Sequence, residues 1–249
     1  MDQPSSQHQN GMDRAGRHPG EVRRHWTLAA LCLFLVAGFV ALGVWQVERR
    51  AWKLGLIAAV DARVHAAPAP LPAPTRWSPD LAYRHVRASG TFLHDRETLV
   101  QAVTDRGPGW WVLTPLRTDR GLLLVNRGFV PADRRDPATR RAGQPGGRVT
   151  VTGLLRPSEP GGGFLRRNDP AADRWYSRDV AAIARARGLG AVLPFFLDAD
   201  GTANPGGYPV GGLTVIAFRN DHLVYALTWF TLAGLSAAGV WLALRRRRP

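Results

Sequence analysis

Cysteine is all but missing from the 249 residues: Cys32 is the only one. That excludes an intramolecular disulfide framework and a multi-cysteine metal site, and Cys32, inside an apolar run, reads as packing. Lysine is equally scarce. Lys53 stands alone, so the net charge of +14 is an arginine excess. There is no Walker loop and no GxGxxG between a strand and a helix. Gly161-Gly162-Gly163 is glycine-rich, but no lysine-bearing helix follows it, and it reads as a flexible loop. No serine sits in a nucleophile elbow. Asp198-Ala199-Asp200-Gly201 resembles the start of a calcium loop, yet the closing glutamate is missing and a turn is the reading. His85 and His94 lack metal-ligand spacing and read as ordinary polar residues. With no nucleophile–base pair and no metal cluster, a non-enzymatic role is expected.

What the chain does have is bulk hydrophobicity. Hydrophobic residues make up 45% and charged residues 21%, which excludes wholesale disorder, while a mean hydropathy of −0.16 excludes a polytopic transporter. Gly 27 and Pro 19 favour a turn-rich, strand-rich fold. The basic excess leaves nucleic acid or an anionic membrane as partners, and two segments choose the membrane. Trp26–Trp45 and Leu223–Leu244 carry no charge, and each is long enough at ~1.5 Å per residue to cross a hydrocarbon core of ~30 Å. Trp26, Trp45 and Trp241 sit where an interfacial belt places tryptophan. The alternative for the first run is a cleaved signal peptide, with Ala41-Leu42-Gly43 as a passable site. The run exceeds the ~7–15 residues of such a segment and continues into a helix-like stretch, so it reads as an uncleaved anchor.

Arginines flank the termini: Arg14, Arg17, Arg23 and Arg24 before the first run, Arg245 to Arg248 after the second. The inner flanks hold Arg49, Arg50, Lys53 and Arg219. This bias puts both termini in the cytoplasm and the middle segment on the outer, periplasmic side of a bacterial inner membrane, away from nucleic acid. The organisation expected is a disordered tail over 1–25, a transmembrane helix over 26–45, a helix extension and Pro-rich linker over 46–79, a β-rich domain over 80–220, a second transmembrane helix over 221–244 and a basic tail over 245–249. Strands are expected at Tyr83–Ala88, Thr98–Val103, Trp110–Arg117, Leu122–Val130, Val149–Arg156, Leu193–Asp198 and Leu213–Phe218, each a β-branched or aromatic run bounded by turn residues. Thr118-Asp119-Arg120-Gly121 marks a hairpin. One helix is expected over Asp179–Arg187, capped by Asp179 and stopped by Gly188. The fold class is thus two transmembrane helices flanking an antiparallel, mostly-β (α+β) extramembrane domain.

His222 lies at the outer end of the second run, and Tyr225, Ala226 and Trp229 follow it at i+3, i+4 and i+7 on one helix face. Such a histidine reads as an interfacial cap, or as a ligand to the iron of a flat apolar group such as haem. Gln46, Arg49 or Arg50, and Lys53 form a polar, cationic face where the first helix leaves the membrane. They suit propionates, lipid phosphates or acidic partner residues, or serve as snorkelling anchors.

The pattern Leu42-Gly43-x-Trp45-Gln46-x-x-Arg49-x-x-x-Lys53-x-x-Leu56-Ile57 resembles the Surfeit locus protein 1 (Shy) family of cytochrome c oxidase assembly factors. The likeness continues at Tyr83-Arg84-x-Val86, Gly90-x-Phe92, Gly109-x-x-Val112-Leu113-Thr114-Pro115-Leu116, Leu124-Val125-Asn126-Arg127-Gly128-Phe129-Val130-Pro131, Gly153-Leu154-Leu155-Arg156 and Gly207-Tyr208-Pro209-Val210-Gly211-Gly212. It ends at Asn220-x-His222-Leu223-x-Tyr225-Ala226-x-Thr228-Trp229-Phe230 and spans about residues 40–232 in the family's order. Phe129, where many members carry Trp, is a mild departure. The resemblance implies a membrane assembly chaperone without enzymatic activity that binds haem a and assists its insertion into the catalytic subunit of cytochrome c oxidase. Haem A synthase and membrane lipid are further partners. Carried over by residue, it makes His222 the iron ligand, with Trp45, Gln46, Arg49, Tyr225 and Trp229 around it. A scaffold for oxidase subunits that holds no haem is the alternative. Asn126-Arg127-Gly128 reads as structural, a turn held by side-chain hydrogen bonds.

Overall fold

A computed structural model describes residues 19–216 and 218–245. The chain divides into two units, residues 1–55 with 219–249, and residues 56–218. Residues 1–18 of the expected tail, and 246–249 of the basic one, lie outside the described residues. Residues 19–25 already belong to helix α1 (Pro19–Val64), so the anchor and the extension after it are one helix, and it starts earlier than its first tryptophan suggests.

The first unit holds the apolar length of α1 and helix α3 (His222–Arg245). Both are long and apolar enough to cross a membrane, with mean hydropathies of 2.5 and 1.6 in segments only 11% buried by protein. Their large side chains, such as Phe34 at 74% exposure and Leu235 at 64%, point outward. That suits lipid as their solvent and would be a liability in water. The less exposed positions of α1 recur at Ala29, Cys32, Val36, Phe39, Gly43, Gln46, Arg50 and Lys53. Those of α3 include the series His222, Ala226, Trp229, Ala233, Ser236, Val240 and Ala243, with Leu232 and Gly239 beside it. Both series alternate steps of three and four, the period of ~3.5 that keeps one stripe facing a partner helix. The pair is antiparallel: Gln46 meets His222, Phe39 stacks on Trp229, and Gly239 lies against Cys32.

The second unit is a barrel. Its strands are β1 (Ala69–Pro70), β2 (His85–Phe92), β3 (Thr98–Thr104), β4 (Gly107–Thr118), β5 (Gly121–Pro131), β6 (Arg148–Pro157), the short hairpin β7 (Gly162–Gly163) and β8 (Arg166–Arg167), and β9 (Val192–Ala199); helix α2 (Val180–Ala186) precedes β9. The main sheet runs β1-β2-β6-β9-β5-β4-β3, and an extra β2–β4 pairing, Gly90 to Phe92 against Thr118 to Leu116, closes β2, β6, β9, β5 and β4 into a five-stranded ring. Within the ring every pairing is antiparallel except β5 with β9, which is parallel. A strand reached through β6 and α2 is free to enter in either direction.

Strand alternation splits the core in two. Leu123 and Val125 of β5, with Leu193, Phe195 and Leu197 of β9, join Val86, Leu116 and Leu155 inside the barrel. Leu124 and Phe196, on the opposite faces, pack with Trp175, Val180 and Ile183 under α2. Helix α2 is short and held by its ends: the Asp179 carboxylate accepts from Ala182 N–H at 3.0 Å, and Gly188 takes φ +61 beyond its last turn. The hairpin expected at Thr118–Gly121 joins β4 to β5.

Three expectations need correction. The run Leu213–Phe218 forms no strand among its described residues. Its composition suits one, but no strand pairs with its described residues, and Val215 is left 77% exposed. The Pro-rich linker, expected as a semi-rigid extended connector, is extended but docked on the barrel: Ala69 and Pro70 pair in parallel with Val86 and Arg87, and Leu71 enters the barrel core. The Asn126-Arg127-Gly128 block is structural as expected but lies inside β5 and makes no turn. Gly128 takes φ +127, and a Cβ there would lie 2.1 Å from the Val210 carbonyl oxygen. Only glycine lets that segment approach and exchange two 2.9 Å hydrogen bonds with Phe129.

Candidate functional site

The end of the α1–α3 pair where α3 begins brings three of the expected residues together. Gln46 and His222 occupy the facing stripes, and His222 Nδ1 lies 2.7 Å from Gln46 Oε1. An amide oxygen only accepts, so Nδ1 carries the proton and Nε2 keeps its lone pair. Nε2 has no hydrogen-bond partner among the described residues. Two turns further in, the Trp229 ring stacks on Phe39, with centroids 5.7 Å apart and planes 22° from parallel.

Small residues let the helices come this close. Ala226 is buried, and Gly43 faces the Phe230 ring so tightly that a Cβ there would lie 2.6 Å from Cε1. At the entry to α3, the Asp221 carbonyl accepts from Val224 N–H at 3.1 Å and Tyr225 N–H at 3.3 Å. The Asp221 carboxylate accepts from Arg219 Nε at 2.8 Å. Lys53 Nζ donates to the Arg219 carbonyl oxygen, tying the segment before α3 to α1. Asn220 Oδ1 is buried and unpartnered among the described residues.

Trp45, Tyr225 and Arg49 lie off the stripe. Trp45 is 53% and Tyr225 54% exposed on the outward faces, and the Arg49 guanidinium sits 4.0 Å over the ring of Trp52. Arg50, not Arg49, follows Gln46 along the less exposed stripe. Phe39, Gly43 and Arg50 are the residues that reading the sequence did not single out as a group. The three-four spacing from Ala29 to Lys53 carries that signal.

The chemistry of this end is an imidazole that gives its Nδ1–H to Gln46 and has no partner at Nε2 among the described residues, with an aromatic pair below it and cations around it. Among the described residues no three His, Cys, Asp or Glu side chains gather as a metal site. The histidines of the barrel have other employment. His85 bonds Asp200 Oδ2 at 2.8 Å and the Ala66 carbonyl at 2.9 Å, and His94 Nε2 bonds the Pro145 carbonyl at 3.1 Å. Asp198 is the hub of a buried ion cluster: it accepts from Arg156 Nη1 and Arg178 Nη1, each at 3.0 Å, and from Asn126 Nδ2 at 2.8 Å. Arg178 also grips Glu159. Burial raises the Glu159 pKa, but the Arg178 bonds outweigh it and hold the carboxyl below its usual range.

Comparison with known proteins gives one consistent result. The profile of the SURF1 family matches residues 33–234. Surfeit locus protein 1 of Homo sapiens is 40% identical over 234 residues, covering 87% of this chain and 76% of the human protein. That of Rattus norvegicus is 39% identical over 237 residues with the same coverage. The SURF1-like protein of Caenorhabditis elegans is 31% identical over 258 residues, covering 93% of this chain and 79% of its own length.

Proposed function

The chain belongs to the SURF1 family of cytochrome oxidase assembly factors, and from that premise we propose that it carries haem a at the membrane surface and assists its insertion into the oxidase catalytic subunit. The observation that carries this reading is His222 itself. Its Nδ1–H is engaged by Gln46 at 2.7 Å, which leaves Nε2 as a neutral donor at the edge of an apolar span. Histidine bound to a metal typically gives its other N–H to such an acceptor, so the donor set fits an iron-bearing cargo. Haem a supplies the iron and a wide apolar face. Within this chain His222 holds the iron, Gln46 orients the ring, and Trp229, Tyr225 and Trp45 offer aromatic surface. Arg49 and Arg50 pair with propionates. None of these groups performs covalent chemistry; the role is to bind, orient and release.

In the same reading both termini are cytoplasmic, the barrel stands on the outer side of a bacterial inner membrane, and haem A synthase and the oxidase catalytic subunit are the donor and recipient. Complementation tests the proposal. In cells deleted for the protein, the wild type restores haem a to the oxidase, and His222→Ala, expressed at an equal level, does not. Arg49→Ala restores most of it, because an exposed ion pair contributes about 0.2–1 kcal/mol. Full restoration by His222→Ala refutes the ligand role. If His222→Ala assembles the oxidase while itself lacking haem, a scaffold without haem is the function.

A further inference from the structure

Arginine is almost never fully buried without an acidic partner. Arg140 follows that rule, forked onto Glu97. Arg127 does not. It is 3% exposed and makes no ion pair among the described residues. Its Nη2 donates to the Gly143 carbonyl and, at 3.1 Å, to Asn204 Oδ1, and its Nη1 has no partner among the described residues. The Phe92 ring lies 4.8 Å from its Cζ. The acid nearest in its field, Glu97, is already engaged by Arg140. Burial draws the Arg127 pKa down to about 10 against the attraction of Glu97, which leaves at neutral pH a buried cation without an ion-pair partner of its own among the described residues.

The same guanidinium lines a cavity of ≈190 Å³ at the mouth of the barrel. Thr150, Thr152, Thr202 and Asn204 line it too, but the Thr150 hydroxyl is paired with Ser89 at 2.8 Å, and the Asn204 amide accepts from Arg127 and donates to the Pro209 carbonyl. Asp200 also lines it, but that carboxylate is paired with His85 at 2.8 Å. The volume is below the ~300–1,000 Å³ of sites for drug-sized ligands, so it suits a small group and not a cofactor. A buried uncompensated charge is costly, and the cost is removed when a ligand brings the counter-charge.

We infer that the barrel mouth beside Arg127 is a binding site for the oxyanion group, carboxylate or phosphate, of a small ligand. The site lies wholly in the barrel unit and is independent of the haem reading. Arg127 supplies the charge through its unpartnered Nη1, Thr202 a neutral hydroxyl, and Phe92 the apolar floor.

The test uses the full chain in detergent micelles, titrated with sodium acetate or inorganic phosphate at constant ionic strength, with chloride as the control. Thermal unfolding should rise saturably with one or both oxyanions and not with chloride. Acetate alone identifies a carboxylate as the group recognised, and phosphate alone a phosphate. Arg127→Gln should weaken the apparent affinity roughly tenfold to a hundredfold, the loss of one charge-assisted hydrogen bond. Ala203→Leu fills the cavity from its wall and touches none of the Arg127 bonds, so it should abolish the effect while keeping the ligand-free melting temperature, even if Arg127→Gln fails to fold. No saturable rise with either oxyanion, or an undiminished rise in Ala203→Leu, overturns the inference and leaves Arg127 as a clamp for the Gly143 and Asn204 segments.

Discussion

Replacing Gln46 with leucine removes the only acceptor seen for His222 Nδ1 and keeps most of the side-chain volume in the helix stripe. The consequence is a change of tautomer. With Gln46 present, a half-buried imidazole gives Nδ1–H to Oε1 at 2.7 Å and presents Nε2 as a lone pair. Without it, an unsatisfied buried N–H costs about 1–3 kcal/mol. The ring escapes that cost by moving its proton to Nε2, the atom needed for iron. Ligation must then restore the unfavourable tautomer, which weakens iron binding by about 10–100-fold, the range typical for loss of a hydrogen-bonded neighbour of a metal ligand. Two assays read this separately. Nitrogen NMR of histidine-labelled, haem-free protein in nanodiscs should show His222 protonated on Nδ1 in the wild type and on Nε2, or in a mixture, in Gln46→Leu. Haem retained after purification should fall by the same 10–100-fold. Gln46→Glu, which keeps an acceptor, should restore both. An unchanged tautomer in Gln46→Leu, or unchanged haem retention beside a changed tautomer, refutes the reasoning.

Asp198→Ala strands Arg156 and Arg178 without their shared carboxylate. Breaking such a buried pair costs about 3–5 kcal/mol, so the barrel's melting temperature should drop by roughly 10 °C or more, and a shift within error contradicts the cluster's role. The Glu159 carboxyl is held below its ordinary value, so its contribution to stability is present above the unfolded pKa of 4.5 and is lost as pH falls through the depressed folded value. Acid unfolding of the wild type should therefore sharpen below about pH 4.5, and Glu159→Gln should flatten that limb. His85 has the opposite sign: burial lowers its pKa, but the bonds to Asp200 and the Ala66 carbonyl more than offset it and raise it above 6.5. That stability is complete below pH 6.5 and is lost as pH rises through the raised value; denaturant melts of wild type against Asp200→Asn between pH 6 and 9 check it. Reporter fusions after Pro74 and after Pro249 should report opposite sides of the membrane, and matching signals overturn the orientation.

Much of the barrel was legible in local pattern. Strand β2 was expected at Tyr83–Ala88 and runs His85–Phe92, so Val86 and Ala88 of its inward face were found and Phe92 was not. Helix α2 was announced by Asp179 and Gly188, both of which act at its ends as expected. The two spans declared themselves by the absence of charge. The parallel β5–β9 pairing and the ring closure at Gly90–Phe92 were not legible, because both join segments far apart in sequence. The run Leu213–Phe218 shows the converse: strand composition alone gives no strand among its described residues. At the helix pair, His222, Gln46 and Trp229 were found from residue type and helical spacing. Which arginine faces inward was not, since Arg49 and Arg50 both fit a step of three or four from Gln46, and only the stripe continuing to Lys53 selects Arg50.

The central claim is that His222 holds haem a. The most direct measurement is the absorption spectrum of the full chain purified from cells that make haem a, beside His222→Ala purified in equal yield. The mutated side chain is the first residue of α3, outside the charge-free run Leu223–Leu244, so both proteins should reach the membrane at similar levels. The account predicts a haem a spectrum for the wild type and its loss in His222→Ala. A wild type free of haem a, or a His222→Ala protein with an undiminished and unshifted spectrum, contradicts it.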